Sequence, residues 1–261
     1  VTVRYEVGDW YDEPALYDMV FDSETEREAA FLEAMHRRHG VATGRTCLEP
    51  ACGTGRLVAA MAARGYRVHG FDQNPTTLRY ARNRLRRRRL GANLTRQALD
   101  RFRLATRVDL AHCLVSTFKY LRDETAARGH LQAVADVLRP GGVYVLGLHL
   151  SEYASEQCSR ERWVVRRGSV RVVCNIQTWP PNRRRRRERV RSRLTVEGPH
   201  GCRRLETRWW FRTYDARQIR RLIGAVPSLE HVATYDFDYD ADRPGSLDGG
   251  RLDVVLILRR R

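Results

Sequence analysis

The sequence predicts an α/β fold: a parallel sheet layered with helices and interrupted by an antiparallel β insertion. Three observations lead there. From Arg45 onward, short apolar runs alternate with helix-periodic stretches, as in successive strand–helix–strand units. The run VYVLGL (143–148) is continuously apolar, as a parallel strand buried on both faces must be. Between 152 and 214 the alternation stops, and four strand-like stretches follow one another, separated by turn signals.

Along the chain, the first forty residues read as helical and polar. WYDEPALYDMVF (10–21) is aromatic and acidic, and SETEREAAFLEAMHRRHG (23–40) predicts a helix capped by Ser23, with Glu26 completing a capping box. TCLEP (46–50) is a short strand, GRLVAAMAARG (55–65) a helix closed by Gly65, and YRVHGFD (66–72) the next strand. The stretch NPTTLRYARNRLRRRRLG (74–91) has Asn74 as cap, Pro75 at the first helical position and Gly91 past the end. NLTRQAL (93–99) and VDLAHCLV (108–115) read as the third and fourth strands. A helix then runs into Pro140-Gly141-Gly142, and VYVLGLHL (143–150) is the fifth strand.

In the insertion, Val190, Leu194 and Val196 share one face while Arg191, Arg193 and Thr195 share the other, the period of two of a sheet with one dry side. A helix over DARQIRRLIGAVP (215–227) and two closing strands, LEHVATYDFD and RLDVVLILRR, end the chain.

Composition narrows the functional classes. A chain of 261 residues suits one large domain or a domain with a substantial insertion. No run of 18 apolar residues exists, and the first residues lack the layout of a signal peptide, so a membrane span is excluded and a cytoplasmic setting is expected. Six scattered cysteines without a CxxC pair predict neither a disulfide framework nor a structural metal site.

The net charge of +17 raises nucleic acid as a partner, yet Lys119 is the only lysine among 48 basic residues. Such exclusive use of arginine indicates a coding preference. The runs RNRLRRRRL (82–90) and RRRRRERVR (183–191) are read first as solvated surface, with a polyanion site second.

The stretch LEPACGTGR (48–56) carries the chemistry. Gly53 and Gly55 leave the backbone bare between a strand and a helix, whose first N–H groups suit an anionic group. Asp72 ends the next strand, 19 residues after Gly53, where an acidic residue takes ribose hydroxyls. The spacing implies a ligand with an anionic end and a ribose, and by itself it fits a dinucleotide too.

The stretch from Leu48 to Leu85, continued by VDLAHCLVSTFKYLRDETAARGHLQAVADVLRPGGVYVLGLHL, resembles the class I S-adenosylmethionine-dependent methyltransferases, and the aromatic lead-in is similar to members acting on small molecules. The resemblance covers roughly 10–150 and the two closing strands. It implies a Rossmann-like three-layer sandwich with a seven-stranded, mostly parallel sheet ending in an antiparallel hairpin. It divides the chain into helices and cofactor-binding core (1–151), a β insertion serving as substrate cap or dimer contact (152–214), and the closing helix and strands of the core (215–261).

The cofactor implied is S-adenosyl-L-methionine, released as S-adenosyl-L-homocysteine. Glu49 and the backbone around Ala51, Gly53 and Gly55 would hold its methionine part, Asp72 the ribose, and Gln73 and Leu99 the adenosine. Val115 would line the cleft, and Tyr11 or Tyr17 would close over it. Ala51 stands where many members have glycine, and alanine is tolerable there if the backbone keeps an ordinary conformation. Ala98 occupies the usual place of an adenine-binding acid, with Asp100 two residues on.

The expected acceptor is a small molecule methylated on N or O by in-line displacement. His149, ending the fifth strand, is the candidate base, and a histidine merely hydrogen-bonded at a strand end is an equal reading. Trp163 is a candidate pocket wall, though aromatics at such spacing more often belong to a core. With no metal-ligand cluster, no metal is expected. The motif of base amino-group methyltransferases is absent after the fourth strand, where LVSTFKY stands, so an RNA methyltransferase ranks second and a non-catalytic binding domain third.

Overall fold

The computed structural model describes residues 4–41, 43–199 and 201–261. In chain order the elements are β1 (Glu6–Val7), a 3₁₀ turn (Trp10–Asp12), α1 (Pro14–Phe21), a second 3₁₀ turn (Asp22–Glu24), α2 (Thr25–His39), β2 (Thr46–Pro50), α3 (Arg56–Ala63), β3 (Arg67–Asp72) and α4 (Pro75–Arg87). Then come β4 (Ala92–Arg96), β5 (Val108–Cys113), a 3₁₀ turn (Thr117–Tyr120), α5 (Glu124–Val137) and β6 (Leu138–His149). Four long strands follow: β7 (Ser159–Arg167), β8 (Val170–Thr178), β9 (Arg187–Gly198) and β10 (Gly201–Arg212). The chain ends with α6 (Ala216–Gly224), β11 (Leu229–Tyr235) and β12 (Asp253–Arg260).

The main sheet has seven strands in the order β11-β12-β6-β5-β2-β3-β4. The first five strands of the alternating region are mutually parallel, and β12 runs antiparallel to both β6 and β11. This is the expected Rossmann-like architecture. Its strand order reverses between β2 and β5, the crevice where open α/β sheets bind ligands. Both faces are covered. One apolar cluster joins Leu131, Ile219 and Leu222 to the sheet, and a second joins Leu32, Met35, Met61 and Leu78 to its other side. Truncating one such fully buried leucine to alanine costs about 2–5 kcal/mol.

Local signals place most helix ends. Asn74 Oδ1 accepts the N–H groups of Thr76 and Thr77 at 2.7 and 3.3 Å, with Pro75 at the first position of α4. Asp215 and Gln218 make a reciprocal capping box on α6. The Ser23 cap expected for α2 does not form. The helix begins at Thr25 directly out of the 3₁₀ turn, and Thr25 Oγ1 donates instead to Asp22. A continuous turn of that kind leaves no extended residue from which a cap side chain can reach back.

The second sheet runs β1-β10-β9-β8-β7, with the four long strands antiparallel as their alternation predicts. Its fifth member corrects the helical reading of the N-terminus: Glu6 and Val7 pair in parallel with Leu205 and Glu206. The dry face of this sheet meets α1 and its flanking turns. Trp10 and Val20 pack there with Val172, Cys174, Leu194 and Leu205. Asp18, buried in α1, fastens the segment to the core by accepting from Thr54 Oγ1 at 3.0 Å and pairing with Arg84. Residues 10–21 are thereby held between the two sheets. Among the described residues no helix is long and apolar enough to cross a membrane.

Candidate active site

The loop between β2 and α3 turns through three left-handed residues: Ala51 (φ 51°), Gly53 (φ 50°) and Gly55 (φ 70°). Each glycine has its own reason. A Cβ on Gly55 would stand 2.8 Å from Ala81 Cβ, so the bare backbone lets α3 and α4 approach. A Cβ on Gly53 would meet nothing within 4 Å and would project into open space. Ala51 corrects an expectation: its backbone is not ordinary but left-handed, a conformation that costs an L-residue about 1–2 kcal/mol.

Asp72 organises the loop from the end of β3. One carboxylate oxygen accepts the Gly53 N–H at 2.9 Å and the other the Asn74 N–H at 2.8 Å. Burial raises its pKa, and these backbone donors pull the other way. Glu49, at the end of β2, is buried, and its Oε2 has no partner. Burial pushes its carboxyl up to about 8 against the opposing pull of Arg56, which is itself paired with Glu28.

Beside the loop lies a cavity of about 1050 Å³. Its lining brings together Tyr11, Tyr17, Glu49, Ala51, Gly53 and Asp72, with Gln73, Leu99 and Val115 further along, so nine of the ten residues named for the cofactor meet there. Gly55 acts from behind, through helix packing. Gln97 and Asp100 also reach the lining near Leu99. S-Adenosylmethionine fits the residues present: Glu49 offers an unpartnered buried acceptor where an ammonium would bind, and Gly53 presents bare backbone to open space.

The far side of the cavity is aromatic. Tyr11, Tyr17, Tyr120, Trp209 and Phe211 line it. The Tyr11 and Tyr120 hydroxyls are hydrogen-bonded at 2.8 Å, and Tyr120 stands edge-on to Phe211 at 4.8 Å. Burial raises the pKa of all three phenols, that of Tyr17 to about 12. Trp209 and Phe211 share a face of β10, as their alternation predicts. Tyr120 escaped the sequence reading, although LVSTFKY follows the fourth strand at the edge where ligands bind.

The two remaining candidates stand elsewhere. His149 does not line this cavity: its Nδ1 pairs with Asp253 on the neighbouring strand β12, and Phe237 packs edge-on against the ring. Trp163 packs against Phe21 at 6.0 Å between α1 and the second sheet, in a core role. Register explains both. Asp253 lies directly across from His149, and Trp163 shares the dry face with Cys174. Among the described residues no group of three or more His, Cys, Asp or Glu is arranged to hold a metal ion.

Comparison with known proteins bears on the domain and the fold. Residues 47–142 match the family model of a methyltransferase domain. The fold is similar to that of an S-adenosylmethionine-dependent methyltransferase from Clostridium acetobutylicum, at 17% identity, 97% coverage of this chain, 99% of that one and a TM-score of 0.79. It is also similar to the sugar N-methyltransferase KedS8 from a Streptoalloteichus species (19% identity, 100% and 96% coverage, TM-score 0.73). A third likeness is to the S-adenosylmethionine-bound amino pentose methyltransferase CalS10 from Micromonospora echinaspora (21% identity, 97% and 92% coverage, TM-score 0.68). No curated protein matches by sequence.

Together, the domain match over residues 47–142 and the fold make the chain similar to methyltransferases of the class I architecture.

Proposed function

We propose that the protein methylates an amine nitrogen of a small-molecule acceptor, held in the aromatic chamber beside the cofactor loop. The observation that carries this reading is the chamber itself, which offers surface and orientation and, among the described residues of its lining, no histidine to serve as base. Its phenols are held neutral by burial. Of the carboxylates in its lining, Glu49 and Asp72 belong to the cofactor loop, Asp9 accepts the Tyr11 N–H, Asp123 caps α5 through the Ala126 N–H, and Asp100 faces the Arg101 guanidinium at 3.7 Å. A hydroxyl acceptor generally needs its proton removed during transfer, whereas a neutral amine needs only alignment and exclusion of water.

When bound, S-adenosylmethionine supplies an electrophilic methyl carbon. The chain's own residues do the rest. Glu49 and Asp72 fix the donor's two ends, and the aromatic walls exclude water and favour the uncharged form of an amine. The second sheet serves as roof to the acceptor, since Trp209 and Phe211 come from β10. Around the mouth, Arg101, Arg122 and Arg187 line the cavity and suit an acceptor with an anionic substituent. The similarity to KedS8, a sugar N-methyltransferase, and to CalS10, an amino pentose methyltransferase, supports the same chemistry.

The test is competition between two acceptors that differ only at the reacting atom. With methyl-labelled S-adenosylmethionine and equal amounts of an amino sugar and its hydroxy analogue, label should enter the amine. Preferential labelling of the hydroxy analogue would overturn the reading.

A further inference from the structure

The outward face of the second sheet is an array of arginines. Register places Arg208, Arg191 and Arg160 in one cross-strand row, and Arg193 and Arg162 in the next beside Glu206. Arg204 follows, then Arg171 and Arg166 beside Glu197, while Arg189 and Trp210 make the row toward the cavity. Nine arginines thus face two glutamates on one surface, in a chain of net charge +17. A coding preference for arginine explains the type of cation. It does not explain why carboxylates are so few on this face.

The two glutamates leave much of the charge free. Glu206 is buried beneath Arg191, Arg193 and Arg208, and Glu197 holds Arg171 at 2.8 Å. Among the described residues, Arg160, Arg162, Arg166, Arg189 and Arg204 have no carboxylate within ion-pair distance. The hairpin between β8 and β9 carries three more exposed arginines, Arg183, Arg184 and Arg185, at the end of the sheet. Strand geometry spaces these groups about 5 Å across and about 7 Å along the sheet.

We propose that this face binds single-stranded nucleic acid without regard to sequence, a binding activity separate from methyl transfer. Three features select that partner. The face has no apolar centre: Val7 on the edge strand, Val164 and Trp210 are separate exposed side chains and Val173 is covered, whereas a protein interface needs a desolvated apolar core. Nucleic-acid interfaces are polar and strongly basic. Finally, Trp210 is 53% exposed with Arg187 stacked 4.5 Å from its ring, and Trp179 carries Arg189 at 3.8 Å. Planar groups on an open sheet suit unpaired bases, and this face presents no helix to enter a duplex groove.

The test uses the full chain and a fluorescein-labelled 20-nucleotide oligouridine, followed by anisotropy. About five phosphate contacts predict an affinity loss of about 100-fold between 50 and 200 mM salt. R160E/R162E/R166E should weaken binding at least about 10-fold at 50 mM salt while leaving calorimetric binding of S-adenosylhomocysteine intact, and R204E/R208E should behave alike. R86E/R87E/R88E, at the end of α4, should bind as the wild type. No binding at 50 mM salt, equal loss in the α4 variant, or equally tight binding of polyglutamate or a 20-base-pair duplex would each overturn the proposal. Failure of the oligouridine arm with cofactor binding intact would leave the methyltransferase reading standing.

Discussion

The ammonium of Lys119 lies 2.6 Å from Glu188 Oε1, with side-chain exposures of 3% and 9%, and joins the two sheets of the molecule. It also donates to the His149 carbonyl at 3.1 Å and sits 5.3 Å from the Phe211 ring. Every other basic position in the chain is arginine, including the buried partners of Asp18 and Glu28. Burial alone therefore does not call for lysine. A compact ammonium with three separate donors reaches a carboxylate, a carbonyl and a ring face, where a planar guanidinium has a different shape.

Removing one partner strands the other charge in the interior. Lys119→Met or Glu188→Gln should each lower stability by about 3–5 kcal/mol. The double variant should lose less than the sum, and Lys119→Arg should not restore the wild-type value. Urea denaturation checks this, and strictly additive losses would show that the two residues act independently.

Asp72 holds the loop through Gly53 and Asn74 and is expected to hold the ribose as well. Asp72→Ala should weaken S-adenosylhomocysteine binding by about 1–3 kcal/mol, the loss expected for hydrogen bonds to a charged group. Isothermal titration calorimetry reads this directly. An unchanged dissociation constant would remove Asp72 from the ribose site.

The parts of this site legible in the sequence are those set by neighbours along the chain. The glycine loop, the Asn74 cap and the continuous apolar strand 143–148 each follow from a few residues' own geometry. The distant partnerships were not legible. Pairing of Glu6 and Val7 with β10 joins residues almost two hundred positions apart, and nothing in the short EV dipeptide distinguishes it from a loop. His149 sits at the anticipated strand end, but its ring is claimed by Asp253, a partner that only the antiparallel register of β12 supplies. Tyr120 is placed by a 3₁₀ turn whose sequence, TFKY, carries no cap or glycine signal.

Ala51 is the one strained residue of the loop that is not glycine. With its φ at 51°, Ala51→Gly should relieve the left-handed strain and raise stability by up to about 1 kcal/mol, part of the gain being offset by the freer unfolded chain. Thermal unfolding monitors it. A clear loss of stability would mean that the alanine methyl packs usefully enough to outweigh the backbone term.

Holding the cofactor's ammonium, as proposed, would couple the proton of Glu49 to cofactor binding. Its folded carboxyl titrates near 8, above the ordinary value of 4.5, because burial disfavours the charge. A raised carboxyl pKa means that the folded state binds the proton more tightly than the unfolded chain. The stability this contributes is therefore complete below about pH 4.5 and is lost as pH rises toward 8. An ammonium pairs with the ionised form, so binding S-adenosylhomocysteine at pH 6–7 should displace close to one proton from Glu49. Calorimetry in buffers of different ionisation enthalpy measures that release, and affinity should rise as pH climbs from 6 to 8. Glu49→Gln should abolish the release and flatten the profile over this range. An identical proton release in wild type and Glu49→Gln would place the ammonium away from this carboxylate.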